Sequence, residues 1–245
     1  MRQSNATSSG GFSNLVIEKM SSGGNLPAAL NRFQRKVSVQ LPRDFLTRLA
    51  HEKLFLGDGY AAKLCLMLFA VAGVSDKTVH LTYDEISRFD LDAKREHDPD
   101  HAQDAILRLQ RTGLIVREAD NTNSDSNLFS LDKASYQRDR EKAWFVSGRL
   151  WETGWIKEWD GAELGLYLWL SPSERLLRRQ LAPRSSEFKE VGDASKALNL
   201  SAPKVREALR SLEKKRLVVT VVKDRKHWML LTNPDLWPVP RSAAH

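Results

Sequence analysis

The sequence predicts an α+β fold, mostly helical, in which two tandem domains of one design follow an N-terminal arm expected to be disordered. Three observations predict it. Between Val191 and Leu231 the apolar period is near 3.6, then drops toward 2 after Arg216, which reads as helix, turn, helix and a two-stranded hairpin. The same order of signals runs from Leu81 to Leu131. Two blocks also match across the halves at nearly constant spacing. Ala62, Leu64, Leu66, Leu68 and Phe69 match Ala162, Leu164, Leu166, Leu168 and Trp169 at an offset of 100. Ala105, Ile106, Leu109, Leu114, Ile115 and Val116 match Ala208, Leu209, Leu212, Leu217, Val218 and Val219 at an offset of 103.

Taken in order, residues 1–36 are rich in Ser, Gly and Asn, carry no sustained period, and close on Arg32, Arg35 and Lys36. A flexible basic arm is expected. A first domain is assigned to 37–134. It begins with a short strand from Val37 toward Leu41-Pro42, followed by a strongly apolar helix over Tyr60–Val71. Thr82 is placed to cap a helix through Ile86 and Phe89. Asp98-Pro99 opens another, with Ala102, Ala105, Ile106 and Leu109 on one face and an end near Gly113. Leu114–Arg117 and Leu128–Leu131 read as strands around a polar loop. Residues 135–150 are expected to connect the domains, partly as helix.

The second domain is assigned to 151–237, with a tail at 238–245 that has no assigned role. Trp151, Trp155 and Trp159 recur at helical spacing, which predicts one aromatic helix face, read first as core and second as a partner surface. Gly154 and Gly161 weigh against that helix. Ser201 and Pro203 mark the start of a helix over 202–214 whose buried stripe is Val205, Ala208, Leu209 and Leu212. A hairpin with Lys223, Arg225 and Lys226 at its tip follows.

Helix, turn, helix and basic hairpin, as they stand in Val191–Leu231, resemble the winged-helix family, whose members are in the main DNA readers. The resemblance implies tandem winged helix-turn-helix domains in a bacterial transcription regulator that binds double-stranded DNA, expected as a homodimer. The arrangement is also similar to plasmid replication initiators, which pair a dimerising winged helix with a reading one. An alternative is a winged-helix adaptor that binds protein through the first domain or the tryptophan face and reads no bases.

Charge separates the two domains. The chain carries a formal +7, with Lys and Arg against Asp and Glu numbering 5 to 1 over residues 1–40, 14 to 17 over 41–140 and 19 to 13 over 141–245. In the first domain the third helix opens with Asp98, Asp100, His101, Gln103 and Asp104, a poor surface for phosphate. The second domain has Lys204, Arg206 and Arg210 there. Arg206 and Arg210 are the candidates for base edges, because a guanidinium can bond guanine O6 and N7 together. Ser201, Lys204, Arg178 and Arg179 are expected on phosphate, with Lys223, Arg225, Lys226 and His227 along the backbone from the wing.

No P-loop, GxSxG, HExxH or CxxC pattern occurs, so no enzymatic activity and no cofactor are expected. His97 and His101 flank Asp98, Pro99 and Asp100. The proline disturbs the spacing that would aim both imidazoles one way, and no metal is expected there. No apolar run reaches the roughly 18 to 20 residues of a membrane span. The first 30 residues hold no apolar signal core. The single cysteine, Cys65, lies among leucines, so a cytoplasmic protein is expected.

Overall fold

The computed structural model describes residues 38–42, 44–72, 79–89, 91, 98–118, 127–131, 144–147, 150, 154–171, 189–223 and 226–231. The arm at 1–36, the charged stretch at 132–143, the basic segment at 172–188 and the tail lie outside them. The described residues are mostly helical with short strands. In the first half these are β1 (Ser38–Leu41), α1 (Phe45–His51), α2 (Tyr60–Ala72), β2 (Val79–Leu81), α3 (Tyr83–Ser87), α4 (Pro99–Arg111), β3 (Ile115–Glu118) and β4 (Asn127–Leu131). In the second they are β5 (Trp144–Ser147), α5 (Trp155–Glu158), α6 (Gly161–Leu170), β6 (Lys189–Glu190), α7 (Val191–Leu198), α8 (Ala202–Lys214), β7 (Val218–Lys223) and β8 (Lys226–Leu231).

The order helix, strand, helix, helix, hairpin occurs twice, and so does the sheet order: β2-β4-β3 and β6-β8-β7, each antiparallel. Local chemistry explains the repetition. Helices α2 and α6 are apolar on nearly every side, so each is driven to the interior, and Ala62, Leu64, Leu66 and Leu68 are as buried as Ala162, Leu164, Leu166 and Leu168. Burial pushes the Cys65 thiol in α2 far above its ordinary pKa, which makes it an inert packing group. The α4 stripe of Ala102, Ala105, Ile106 and Leu109 and the α8 stripe of Val205, Ala208, Leu209 and Leu212 are both buried.

The exits of α4 and α8 also coincide. Gly113 (φ 68°) and Arg216 (φ 58°) sit at matched positions in the left-handed region, each followed by a fully buried leucine, Leu114 and Leu217. A left-handed residue reverses the chain from helix into hairpin, and glycine does so without the Cβ penalty that arginine carries.

The halves share one core. β1 pairs antiparallel with β5, with Ser38 opposite Ser147 and Leu41 opposite Trp144. Thus the stretch read as connector contains a strand bound to β1. The starts of α2 and α6 touch as backbone: a Cβ on Gly59 would lie 2.4 Å from Gly161 Cα, and the Gly161 amide donates to Gly57 O at 3.0 Å. Helix α7 packs on α1, and Asn199, left-handed at the end of α7, donates from Nδ2 to Ala50 O at 3.2 Å.

The tryptophans differ from the expected helix face. Gly154 has φ 75°, α5 spans only Trp155–Glu158, and Trp159 is already extended. Trp155 and Trp159 stack at 6.1 Å between centroids, and Trp159 is 1% exposed. Trp151 lies outside the described residues. An extended backbone at Trp159 turns its indole inward against Tyr167, 4.9 Å away, so Trp159 belongs to the core and an exposed three-tryptophan face does not form. No described helix is long and apolar enough to cross a membrane.

Candidate nucleic-acid interface

Helix α8 is held rigidly at both ends and along its buried side. Ser201 Oγ accepts from the Lys204 amide at 3.4 Å, and Pro203 sits in the first turn, where no helical N–H is needed. At the far end the Leu217 amide returns to Leu212 O at 3.0 Å, and Thr220 Oγ1 bonds the Glu213 carboxylate. Helix α7 enters through a turn in which Ser195 Oγ donates to Leu200 O at 2.6 Å. Because Asn199 in that turn is tied to Ala50, the first half braces the helix pair of the second.

Of the predicted contact residues, Arg206 and Arg210 are exposed, one turn apart, on the outward side of α8. Neither guanidinium has an ion pair or hydrogen bond among the described residues. Ser201 is exposed, with its oxygen engaged as a cap. Lys204 is placed differently from a free phosphate contact. Its Nζ lies 3.1 Å from Asp160 Oδ2 and 3.1 Å from Glu207 Oε2. Hydrogen bonds to Asp160 first, then to Glu207, raise its pKa above the ordinary lysine value.

The backbones of Lys223, Lys226 and His227 lie at the closing end of the β7–β8 hairpin, where Lys223 pairs with Lys226 and His227 with Val222. Arg225, Arg178 and Arg179 lie outside the described residues.

Sequence reading missed Asp160 and Glu163. Both belong to a capping box at the start of α6: Asp160 Oδ1 accepts from the Glu163 amide at 2.8 Å, and Glu163 Oε2 accepts from the Asp160 amide at 2.9 Å. Each also reaches α8 or its exit. Asp160 holds Lys204, and the nearly buried Glu163 holds Lys215 Nζ at 2.8 Å. Two carboxylates thus fix the ends of the candidate reading helix against α6. The D-x-x-E pattern was visible as a cap signal, but nothing local in the sequence announces its lysine partners.

The matched site in the first half is built alike with other groups. Asp98 Oδ1 accepts from the amides of Asp100 and His101, both at 3.1 Å, capping α4 as expected. His101 occupies the place of Lys204, its Nε2 4.0 Å from Asp58 Oδ2 and its ring 4.4 Å from that of Tyr60. That nitrogen is buried and has no hydrogen-bond partner among the described residues. On the outward side, Asp100, Gln103, Asp104 and Leu107 are exposed. Among the described residues no cluster of histidine, cysteine and carboxylates is suited to a metal ion, and His97 lies outside them. No family model, no curated protein and no solved structure matches the chain.

Proposed function

We propose that the chain is a sequence-specific double-stranded DNA-binding protein built of two winged helices, the second of which reads the major groove with α8. The observation that carries this reading is the pair Arg206 and Arg210. They are exposed and unpaired among the described residues, on a helix whose capped start, buried stripe and exit are all fixed. An already ordered helix loses little backbone entropy on binding, and its unpaired guanidinium groups are available to base edges. One helical turn separates the two arginines by about 6 Å, which matches roughly two base-pair steps of about 3.4 Å. Lys223, Arg225, Lys226 and His227 then lie beside the backbone as a wing, with Arg178 and Arg179 as further phosphate contacts.

Lys204 acts here mainly by holding the start of α8 to Asp160, and contributes positive potential rather than a dedicated phosphate contact. Control of transcription is the proposed use, with two chains on successive half-sites as a homodimer in the cytoplasm. Replication initiation, including that of a plasmid, is the narrower version of the same reading.

Fluorescence anisotropy with a labelled random duplex tests it. The expected result is binding that weakens steeply as salt rises from about 50 to about 300 mM, because each neutralised phosphate releases counterions. No salt-dependent binding at micromolar protein overturns the reading.

A further inference from the structure

Helices α4 and α8 share a frame but offer opposite surfaces. At the positions where α8 has Pro203, Arg206 and Arg210, α4 has Asp100, Gln103 and Leu107, and Asp104 stands where α8 has Glu207. Leu107 is 45% exposed, a large apolar side chain in the place of a candidate base-reading arginine. Asp98 caps α4, Asp100 and Asp104 lie in its first half, and Arg108 and Arg111 in its last turn. The outward side of α8 carries Arg206, Arg210 and Lys214 against Glu207, whose carboxylate is shared with Lys204. An acidic, leucine-bearing helix face and a basic helix face of the same length therefore coexist on one chain, neither packed against another element among the described residues.

We infer that, away from DNA, α4 of one chain docks on α8 of a second copy. Asp100 and Asp104 face Arg206 and Arg210, and Leu107 is covered against the aliphatic stems of the arginines. The two faces differ, so the contact either repeats head to tail or, made twice in reciprocal fashion, closes a twofold pair. Exposed ion pairs are individually weak and salt-screened, which makes the association a low-salt, high-concentration property. It engages the same arginines as DNA does, so self-association and DNA binding exclude each other. That exclusion rests on the proposed reading of α8, whereas the association does not.

Sedimentation velocity of the full chain, over a concentration series at about 50 mM and about 300 mM salt, tests the contact. Species that grow with concentration are expected at low salt and lost at high salt. An Asp100→Lys/Asp104→Lys chain and an Arg206→Glu/Arg210→Glu chain should each lose them, because both helix faces then carry one sign. Mixing the two variants should restore them, a rescue that misfolding cannot produce. Adding random duplex DNA to the native chain should dissolve the larger species. Absence of low-salt growth, its persistence in either variant, or failure of the mixture to restore it overturns the inference. Association that passes the salt, variant and mixing arms but is not dissolved by duplex DNA, while anisotropy finds no DNA binding, instead rejects the DNA reading and leaves the docking contact standing.

Discussion

Helices α4 and α8 have the same length, a side-chain cap with proline in the first turn, the same buried stripe, and a left-handed residue before the hairpin. They differ almost wholly on the outward side, where Gln103 and Leu107 stand against Arg206 and Arg210. The frame and the exposed face are therefore specified by separate sets of residues. Apolar periodicity and end signals fix where each helix lies, and they leave the outward positions free to carry different chemistry.

The largest loss of stability is expected where the two halves are pushed apart. Gly59→Ala places a Cβ against Gly161 Cα at a residue with φ 69°. Strain and overpacking together should cost about 3 kcal/mol or more of unfolding free energy in urea titration. Gly57→Ala, with φ 67° and nothing within 4 Å of the new Cβ, should cost only about 1 kcal/mol. Equal effects at the two sites would mean that the halves do not meet there.

A smaller effect separates the second half from the first. Lys215→Ala removes the partner of Glu163, whose side chain is 8% exposed, whereas the first half has Thr112 at that position. Leaving a carboxylate nearly buried and unpaired should cost about 1–3 kcal/mol. Changing Glu163 to Gln as well should recover part of that loss. Gly113→Ala, next in size, should cost about 1–2 kcal/mol, since its φ of 68° penalises any Cβ.

Lys204→Ala should be the mildest, about 0.2–1 kcal/mol, as expected of a partly exposed ion pair. Its pH dependence has a definite sign. The folded-state pKa is raised, so the contribution is complete below the unfolded lysine value of about 10.4 and disappears as pH rises through the higher folded value. The gap in stability between the native chain and Lys204→Ala should therefore be constant around neutrality and narrow only in strong alkali.

Much of the frame was legible in the sequence. The buried stripe of α8, Ser201 as its cap, the Thr82 cap of α3 and Asp98 as the cap of α4 all depend on neighbours within a turn or two. Short-range periodicity and capping chemistry carry that information directly. Contacts between distant segments left no such trace. β5 was hidden in a stretch read as connector, because a four-residue strand has no distinctive pattern until its partner β1 is known. Trp155 and Trp159 fit a helical spacing that Gly154 and the extended Trp159 override. Lys204 looked like a phosphate contact by composition. Only the approach of α6 to α8 reveals that Asp160 holds it, whereas Arg206 and Arg210 stay exposed without an ion pair among the described residues.

The most direct measurement is the dependence of DNA affinity on salt for three chains: the native protein, Arg206→Ala/Arg210→Ala, and the matched Gln103→Ala/Leu107→Ala. If α8 alone reads DNA, the arginine pair should cost about 2–6 kcal/mol in affinity for the preferred site, at about 1–3 kcal/mol for each base contact, and leave the salt slope, which phosphate contacts set, nearly unchanged. The matched change in α4 should leave both quantities as in the native chain. Loss of binding from the α4 change, or unaltered binding without Arg206 and Arg210, would contradict the assignment of DNA reading to the second half.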